Sequence, residues 1–273
     1  MVEQPPCKGQ VGGSSPLSGS QFLRESYTHM SLQESETTSG HYHPISLAVK
    51  EIQIIFHKLG FSLAEGPHVE TEHYNFDALN IPADHPARDL WDTFWLEDNK
   101  LGDLLRTHTS NVQIRHMETN EPPIRIIAPG KVFRYEATDA THETQFYQLE
   151  GLLVDTDVTL ANLKGVLEHF FSEFFAGKTE VRFRPSYFPF VEPGVEVDMR
   201  RKDEDMTDED NPWIEVMGAG MVHPNVLDNV GIDSRQHQGF AFGVGVDRLL
   251  MLKHGVPDVR FFYNGDLRII EQF

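Results

Sequence analysis

The chain has 273 residues, a formal net charge of −19 at pH 7 and a single cysteine. That length allows a sizeable buried core in one large domain or two small ones. One thiol excludes an intrachain disulfide framework and suits a reducing compartment. The acidic balance argues against a broad nucleic-acid surface, which needs clustered Lys and Arg.

No apolar run reaches the length of a membrane span, and no basic head with an apolar stretch marks a secretory signal. The expected location is the cytoplasm. Residues 1–42 are rich in Gly, Ser, Gln, Thr and Pro and have no helical or strand period. They read as a disordered leader or tag, part of which ends near His29-Met30. Order is expected from His43-Pro44, which makes 43–273 one domain.

From Ile45, the apolar positions Ala48, Val49, Ile52, Ile55, Phe56 and Leu59 recur at spacings of three and four, predicting a helix stopped by Gly60. The breadth of this face, which includes Ile54, leaves room for a partner surface. A shorter helix should follow Thr109-Ser110, with either hydroxyl as its cap and Val112, Ile114 or Met117 facing inward. A third helix is predicted over Thr159–Ala176, with Leu160, Leu163, Leu167, Phe170, Phe171 and Phe174 in register and Gly177 closing it.

Strand-like runs cover Ile124–Ala128, Lys131–Glu136, Gln145–Val154, Glu180–Arg184, Val195–Met199, Trp213–Met217 and Phe240–Val244. Strands outnumber helices, and several are joined by short turns. The predicted fold is α+β, a mainly antiparallel β-sheet flanked by helices. Asp203–Asp210 carries six carboxylates and reads as a solvated loop.

The most informative stretch is Lys131–Glu136 followed by the polar Ala137–Thr144 and then Gln145–Gly151. At period two, Val132, Arg134 and Glu136 share one face, and Phe146, Gln148 and Glu150 share another. A hairpin built this way sets an Arg, two carboxylates and an amide on a sheet surface, where a plain sandwich would place Val and Ile. Such a surface suits a ligand that is anionic at one end and carries an ammonium elsewhere.

An isolated Arg134 would most simply pair with Glu136 or Glu150. Its polar neighbours, the His-bearing tip, and a second arginine, Arg248, beyond the glycine-rich Gly239–Gly245 shift the reading. Two guanidinium groups converging on one surface suit a polyphosphate. Phe188 and Phe190, also at period two, suit either core packing or the wall of a pocket for a flat apolar group. His108 and Ser110 stand at a helix start, where capping and carboxylate binding are both open. No zinc-ligand spacing and no nucleophile elbow occurs, so covalent catalysis is not expected.

Phe133–Glu136, Gly239–Leu250, and a Gly66-Pro67 placed at the close of the first helix resemble motifs two, three and one of class II aminoacyl-tRNA synthetases. Asn75–Asn80, His85–Trp95, Arg106–Ser110, Thr141-His142, Phe146–Gly151, Tyr187–Gly194 and Gly218–Pro224 resemble the bacterial-type phenylalanine–tRNA ligase α-subunit family. The likeness runs from about His43 to Phe273.

The resemblance implies ATP-dependent activation of L-phenylalanine to phenylalanyl-adenylate and, with a partner subunit, transfer to tRNA(Phe). It implies that Arg134 holds the ATP α-phosphate and that Arg248 binds the γ-phosphate and covers one adenine face. Phe146 would stack on the other face, Glu136 would read the adenine amine, and His142 would close over phosphate. Trp91, His108, Ser110, Gln148 and Glu150 would orient the ammonium and carboxylate of phenylalanine. Phe188 and Phe190 would pack on its ring, and Ala241 would limit the pocket's depth. Glu192 would share a Mg2+ site with a β subunit.

The implied partner is that β subunit, or a second copy, through the 44–70 region. Relatives of this type carry a long N-terminal helical hairpin that reaches tRNA, and residues 1–42 have no heptads. Binding of tRNA by this chain alone is therefore expected to be weak. A different class of reading, a synthetase-like fold kept as a non-catalytic binding or assembly module, would show no phenylalanine-dependent pyrophosphate exchange.

Overall fold

A computed structural model of the chain describes residues 40, 42–89, 92–97, 103–202 and 211–273. Trp91, the acidic run 203–210 and nearly all of 1–42 lie outside the described residues. His41–Phe273 forms one compact unit.

Helix α1 spans Pro44–Lys58, with proline at its first position and the His43 ring accepting from the Ile45 amide at 3.2 Å. Gly60 leaves the helix at φ 82°, a turn that favours glycine. Strand β1 (Ser62–Leu63) follows, then β2 (Val69–Thr71), helix α2 (Glu72–Asn75) and β3 (Asp103–Leu105). Gly66-Pro67 therefore does not close the first helix. It lies between β1 and β2, because Gly60 has already turned the chain.

Next come α3 (Ser110–Met117), β4 (Ile124–Phe133), β5 (Gln145–Asp155) and α4 (Leu160–Phe174). The remaining elements are β6 (Thr179–Phe188), β7 (Val191–Arg201), β8 (Ile214–Val222), α5 (Pro224–Asn229), β9 (Gln238–Gly245), α6 (Val246–His254) and α7 (Leu267–Ile270).

Seven strands form one sheet in the order β1-β4-β5-β9-β8-β7-β6, parallel only at β1–β4. The two strands expected on either side of Pro129-Gly130 are one strand, β4. β1 pairs only with Ile126 and Ile127, so the next stretch of β4 is an open edge that tolerates proline.

β4 also ends earlier than expected. The Arg134 amide still donates to Thr144 O at 2.9 Å, but the Glu136 amide turns back to Arg134 O. Arg134 and Glu136 thus sit beyond the strand end rather than on its face. The hairpin tip is organised locally by Asp139, whose carboxylate accepts from the Thr141 amide at 2.6 Å and the His142 amide at 2.8 Å. Such side-chain bonds compete with ladder pairing.

The two faces of the sheet differ. Odd residues of β5 and even residues of β9 turn toward the main core, where Leu149, Phe240, Phe242 and Val244 meet α1, α4 and α6. Phe56 of α1 anchors this core, with ring centroids 5.1 Å from Phe170, 5.3 Å from Phe242 and 5.4 Å from Phe61. Helix α4 starts on a reciprocal cap: the Asn162 amide donates to Thr159 Oγ1, and Asn162 Oδ1 accepts from the Thr159 amide.

The opposite face carries a second core at one end (Ile124, Ile126, Leu152, Val154) under the segment from α2 to α3 and helix α5. Further along that face stand Gln148 and Glu150, paired across β4 and β9 with Gly130, Ala128, Gly245 and Gly243. Small residues on both neighbouring strands leave open space above two polar side chains.

Candidate active site

Two cavities share this polar face. The first encloses about 520 Å³ and is walled by Phe76, Leu79, Ile81, Ala87, Phe188, Phe190, Val226 and Ala241, with His108, Ser110, Gln113, Arg134, Gln148 and Glu150 at its polar parts. The second, about 580 Å³, is lined by Arg134, Glu136, His142, Glu143, Phe146, Gln148, Glu215 and Arg248. Arg134, Gln148, Glu215, Gly218 and Gly243 belong to both walls, so the cavities meet over the glycine floor.

Arg134 is held at the junction by its Nε, which donates to Thr107 O at 3.1 Å, and by the Phe146 ring, whose centroid lies 5.0 Å from the guanidinium carbon. Burial lowers its pKa from the ordinary value, but an arginine stays charged. Arg248, on the first turn of α6, donates from Nε to Glu215 O at 3.3 Å. Among the described residues neither arginine has a carboxylate within ion-pair distance, and both guanidinium groups face the second cavity.

Glu150 is buried under α3. Its carboxylate accepts from the Thr109 amide at 3.1 Å, from Gln113 Nε2 at 2.8 Å and from Ser110 Oγ. Neither hydroxyl caps α3, contrary to expectation. Ser110 turns its proton to the sheet carboxylate, and the Thr109 hydroxyl is buried without a partner. Burial pushes the Glu150 pKa up to about 7, opposed by the bonds from Ser110 and Thr109 and by the nearby Arg134 and Arg106 charges.

His108 is driven the other way. Burial, with Arg134 beside it, lowers its pKa to about 3. The ring is thus neutral, and its Nε2–H donates to Asn75 O at 3.0 Å. That fixes Nδ1 as an acceptor, which is buried without a partner, as is Gln148 Oε1.

The rings of Phe188 and Phe190 stack at 5.8 Å with an interplanar angle of 23° across the β6–β7 turn. Ala241 lies in β9 opposite Gly220 and contributes one methyl to the same apolar wall. Every predicted site residue among the described ones lines one of the two cavities except Glu192. Glu192 lies at the start of β7 with its side chain exposed, 3.4 Å from His223 Nε2. Among the described residues no cluster of three His, Cys, Asp or Glu side chains could hold a metal ion alone.

Sequence reasoning missed Glu215, Gln113 and the wall Phe76–Ala87. Glu215 carried no period-two signal, because a register shift opposite Val197 and Asp198 breaks the alternation of β8 between Glu215 and Met217. It stands in β8 as a carboxylate close to the apolar run Val216-Met217.

The sheet is mainly antiparallel, with α1, α4 and α6 on one face and, on the other, a polar floor beside α3. Residues 28–273 match the family model described as tRNA synthetases class II core domain (F). The fold is shared with a crystal structure of pyrrolysyl-tRNA synthetase from Desulfitobacterium hafniense. That likeness has a TM-score of 0.65 at 20% identity, covering 90% of this chain and 81% of that one.

Much nearer in sequence are proteins named phenylalanine–tRNA ligase alpha subunit. The one from Dehalococcoides mccartyi is 54% identical over 242 residues, 86% of this chain and 70% of that protein. The one from Edwardsiella ictaluri is 50% identical over 251 residues, 92% of this chain and 73% of that protein. The chain belongs to the phenylalanine–tRNA ligase alpha subunit family of class II tRNA synthetases.

Proposed function

We propose that the chain activates L-phenylalanine with ATP to phenylalanyl-adenylate and, together with a β subunit, passes the phenylalanyl group to tRNA(Phe). The observation that carries this reading is the junction of the two cavities at Arg134. An amino acid in the first and a nucleotide in the second would meet there, carboxylate against α-phosphate.

In the first cavity the ring of phenylalanine lies against Phe188 and Phe190, above Ala241. Its ammonium donates to Glu150, with the His108 and Gln148 side chains and the Ser110 hydroxyl lining the same cavity. Trp91 is assigned to the same ligand from the family likeness alone. In the second cavity Arg248 grips the distal phosphate and one adenine face, Phe146 takes the other face, Glu136 meets the adenine amine, and His142 closes over the phosphates.

A carboxylate oxygen of phenylalanine attacks the α-phosphorus, the bond to the bridging oxygen breaks, and pyrophosphate leaves with that electron pair. No protein nucleophile is needed. Arg134 holds both anions in line and offsets the charge that gathers on the α-phosphoryl oxygens.

Mg2+, which the family uses with ATP, takes oxygen ligands, usually one or two carboxylates together with phosphates. Among the described residues no three His, Cys, Asp or Glu side chains cluster, so Glu215, on the wall of the second cavity, would hold the ion together with phosphate oxygens. When bound, the ion would neutralise phosphate charge. Glu192, exposed and outside both cavities, suits a second ion whose other ligands come from the β subunit.

Among the described residues no helix is long and apolar enough to cross a membrane. The deciding experiment is ATP–pyrophosphate exchange with each amino acid in turn. Exchange that depends on phenylalanine supports the reading. None with phenylalanine, or equal rates with tyrosine, defeats it.

A further inference from the structure

We infer that Arg88 is a positioning residue that fastens one wall of the first cavity and so sets how closely the ring of phenylalanine is gripped. The inference rests on the function proposed above. That wall consists of Phe76, Leu79, Ile81, His85 and Ala87, all from one stretch between α2 and the short 3-10 turn Pro86–Arg88. It belongs to no strand of the main sheet, and two 3-10 turns are its only regular structure beyond α2. Ladder hydrogen bonds cannot fix it, so something else must.

The Arg88 side chain is only 9% exposed and does not itself line the cavity. Its Nη1 donates to Glu72 Oε1 at 2.8 Å, and its Nε to Pro82 O at 2.9 Å. Nη2 donates to Asp77 Oδ1 at 2.7 Å and also to Ile81 O. The guanidinium carbon lies 4.8 Å from the centroid of Phe76, against the ring that forms the cavity wall. One planar group thus ties α2, the 3-10 turn Asp77–Leu79, the loop at 81–82 and the back of a wall aromatic.

A second fastening joins this wall to its neighbour. Asn80, in the left-handed region at φ 59°, donates from Nδ2 to Pro189 O at 2.7 Å, between Phe188 and Phe190. Lysine could not reproduce the Arg88 arrangement, because a compact ammonium lacks the fixed fork of donors. Loosening the wall should weaken binding of the ring without moving Arg134 or the nucleotide contacts.

The test is pyrophosphate exchange by wild type, Arg88→Ala, Arg88→Lys and Asn80→Gly, each purified in the assembly it forms. Gly keeps the backbone conformation of Asn80 while removing its bond to the hairpin. The expected result is a rise of about tenfold or more in KM for phenylalanine in both Arg88 variants, with KM for ATP and kcat within about threefold. Asn80→Gly should shift KM the same way, and all variants should accept para-substituted phenylalanines relatively better than wild type.

An unchanged KM for phenylalanine, or a matching rise in KM for ATP, overturns the inference. If Arg88→Ala does not fold, Arg88→Lys and Asn80→Gly decide the matter by the same two constants. Wild type without phenylalanine-dependent exchange would instead overturn the proposed function. An active wild type with unaltered variants overturns only the role of Arg88.

Discussion

The Arg134 guanidinium lies over the Phe146 ring, with 5.0 Å between its carbon and the ring centroid. The aromatic face therefore supports the group that faces both cavities. Phe146→Leu should lose about 0.5–2 kcal/mol of cation–π support, and so lower kcat as well as raise KM for ATP. Arg134→Lys should cost about 10²–10³ in kcat for exchange, the magnitude of losing a preorganised donor to developing charge. Steady-state exchange kinetics would read both, and a Lys variant within a few-fold of wild type would remove Arg134 from the chemistry.

The buried Glu150 gives the site a pH dependence whose sign can be worked out. Its pKa rises from the ordinary 4.5 to about 7 on folding. Between those values the folded state holds a proton that the unfolded state has released. Its contribution to stability therefore falls as pH rises from 4.5 to 7 and levels off above. The phenylalanine ammonium prefers the ionised form, so binding should release a proton. KM for phenylalanine should then drop as pH rises toward 7, by up to about tenfold per unit. The Glu150→Gln variant should have a higher and flat KM over that window, and a wild-type KM that climbs with pH would contradict this.

A side chain on the glycine floor should crowd the groups above it. A Cβ at Gly243 would stand 3.0 Å from Gln148 Nε2 and 3.1 Å from Glu150 Cγ, and one at Gly218 would stand 3.1 Å from the Phe188 ring. Gly243→Ala should displace both polar groups and raise KM for phenylalanine about tenfold or more, with little change in melting temperature. Gly218→Ala should act through the ring wall and spare the pH profile. Titrating phenylalanine into each variant separates these two effects.

On the far face, Phe56 packs against three rings, while Ile54 of the same helix is 52% exposed. Phe56→Ala should cost about 3–5 kcal/mol in denaturant unfolding. Ile54→Ala should stay within about 0.5 kcal/mol for the isolated chain. If the 44–70 face docks a β subunit or a second copy, Ile54→Asp will instead change the sedimentation of the assembly. An unaltered profile would place the contact elsewhere.

The sequence exposed the parts of this arrangement that follow a period. Ile45–Leu59 and Leu163–Phe174 repeat every three or four residues, and both helices lie where that spacing puts them. Gln148 and Glu150 alternate with apolar neighbours, so their shared face was visible. The end of β4 was not, because Arg134–Glu136 continues the alternation while the Tyr135 amide donates to Asp92 O and the Glu136 amide turns back to Arg134 O. Nor was the Phe76–Ala87 wall, since its shape depends on Arg88 reaching back to Glu72 and Asp77, a long-range relation with no period. Glu192 was legible only by family likeness, and nothing in its exposed surroundings replaces that warrant.

In β5, Leu149 faces the core while Gln148 and Glu150 face the open side. A slip of a single residue against β4 or β9 would turn Leu149 outward and drive a carboxylate among phenylalanine rings. Catalysis thus doubles as a proofreading signal for strand assembly. The register that packs the core is the one that builds the site, so a chain that pairs correctly carries both polar groups on the open side.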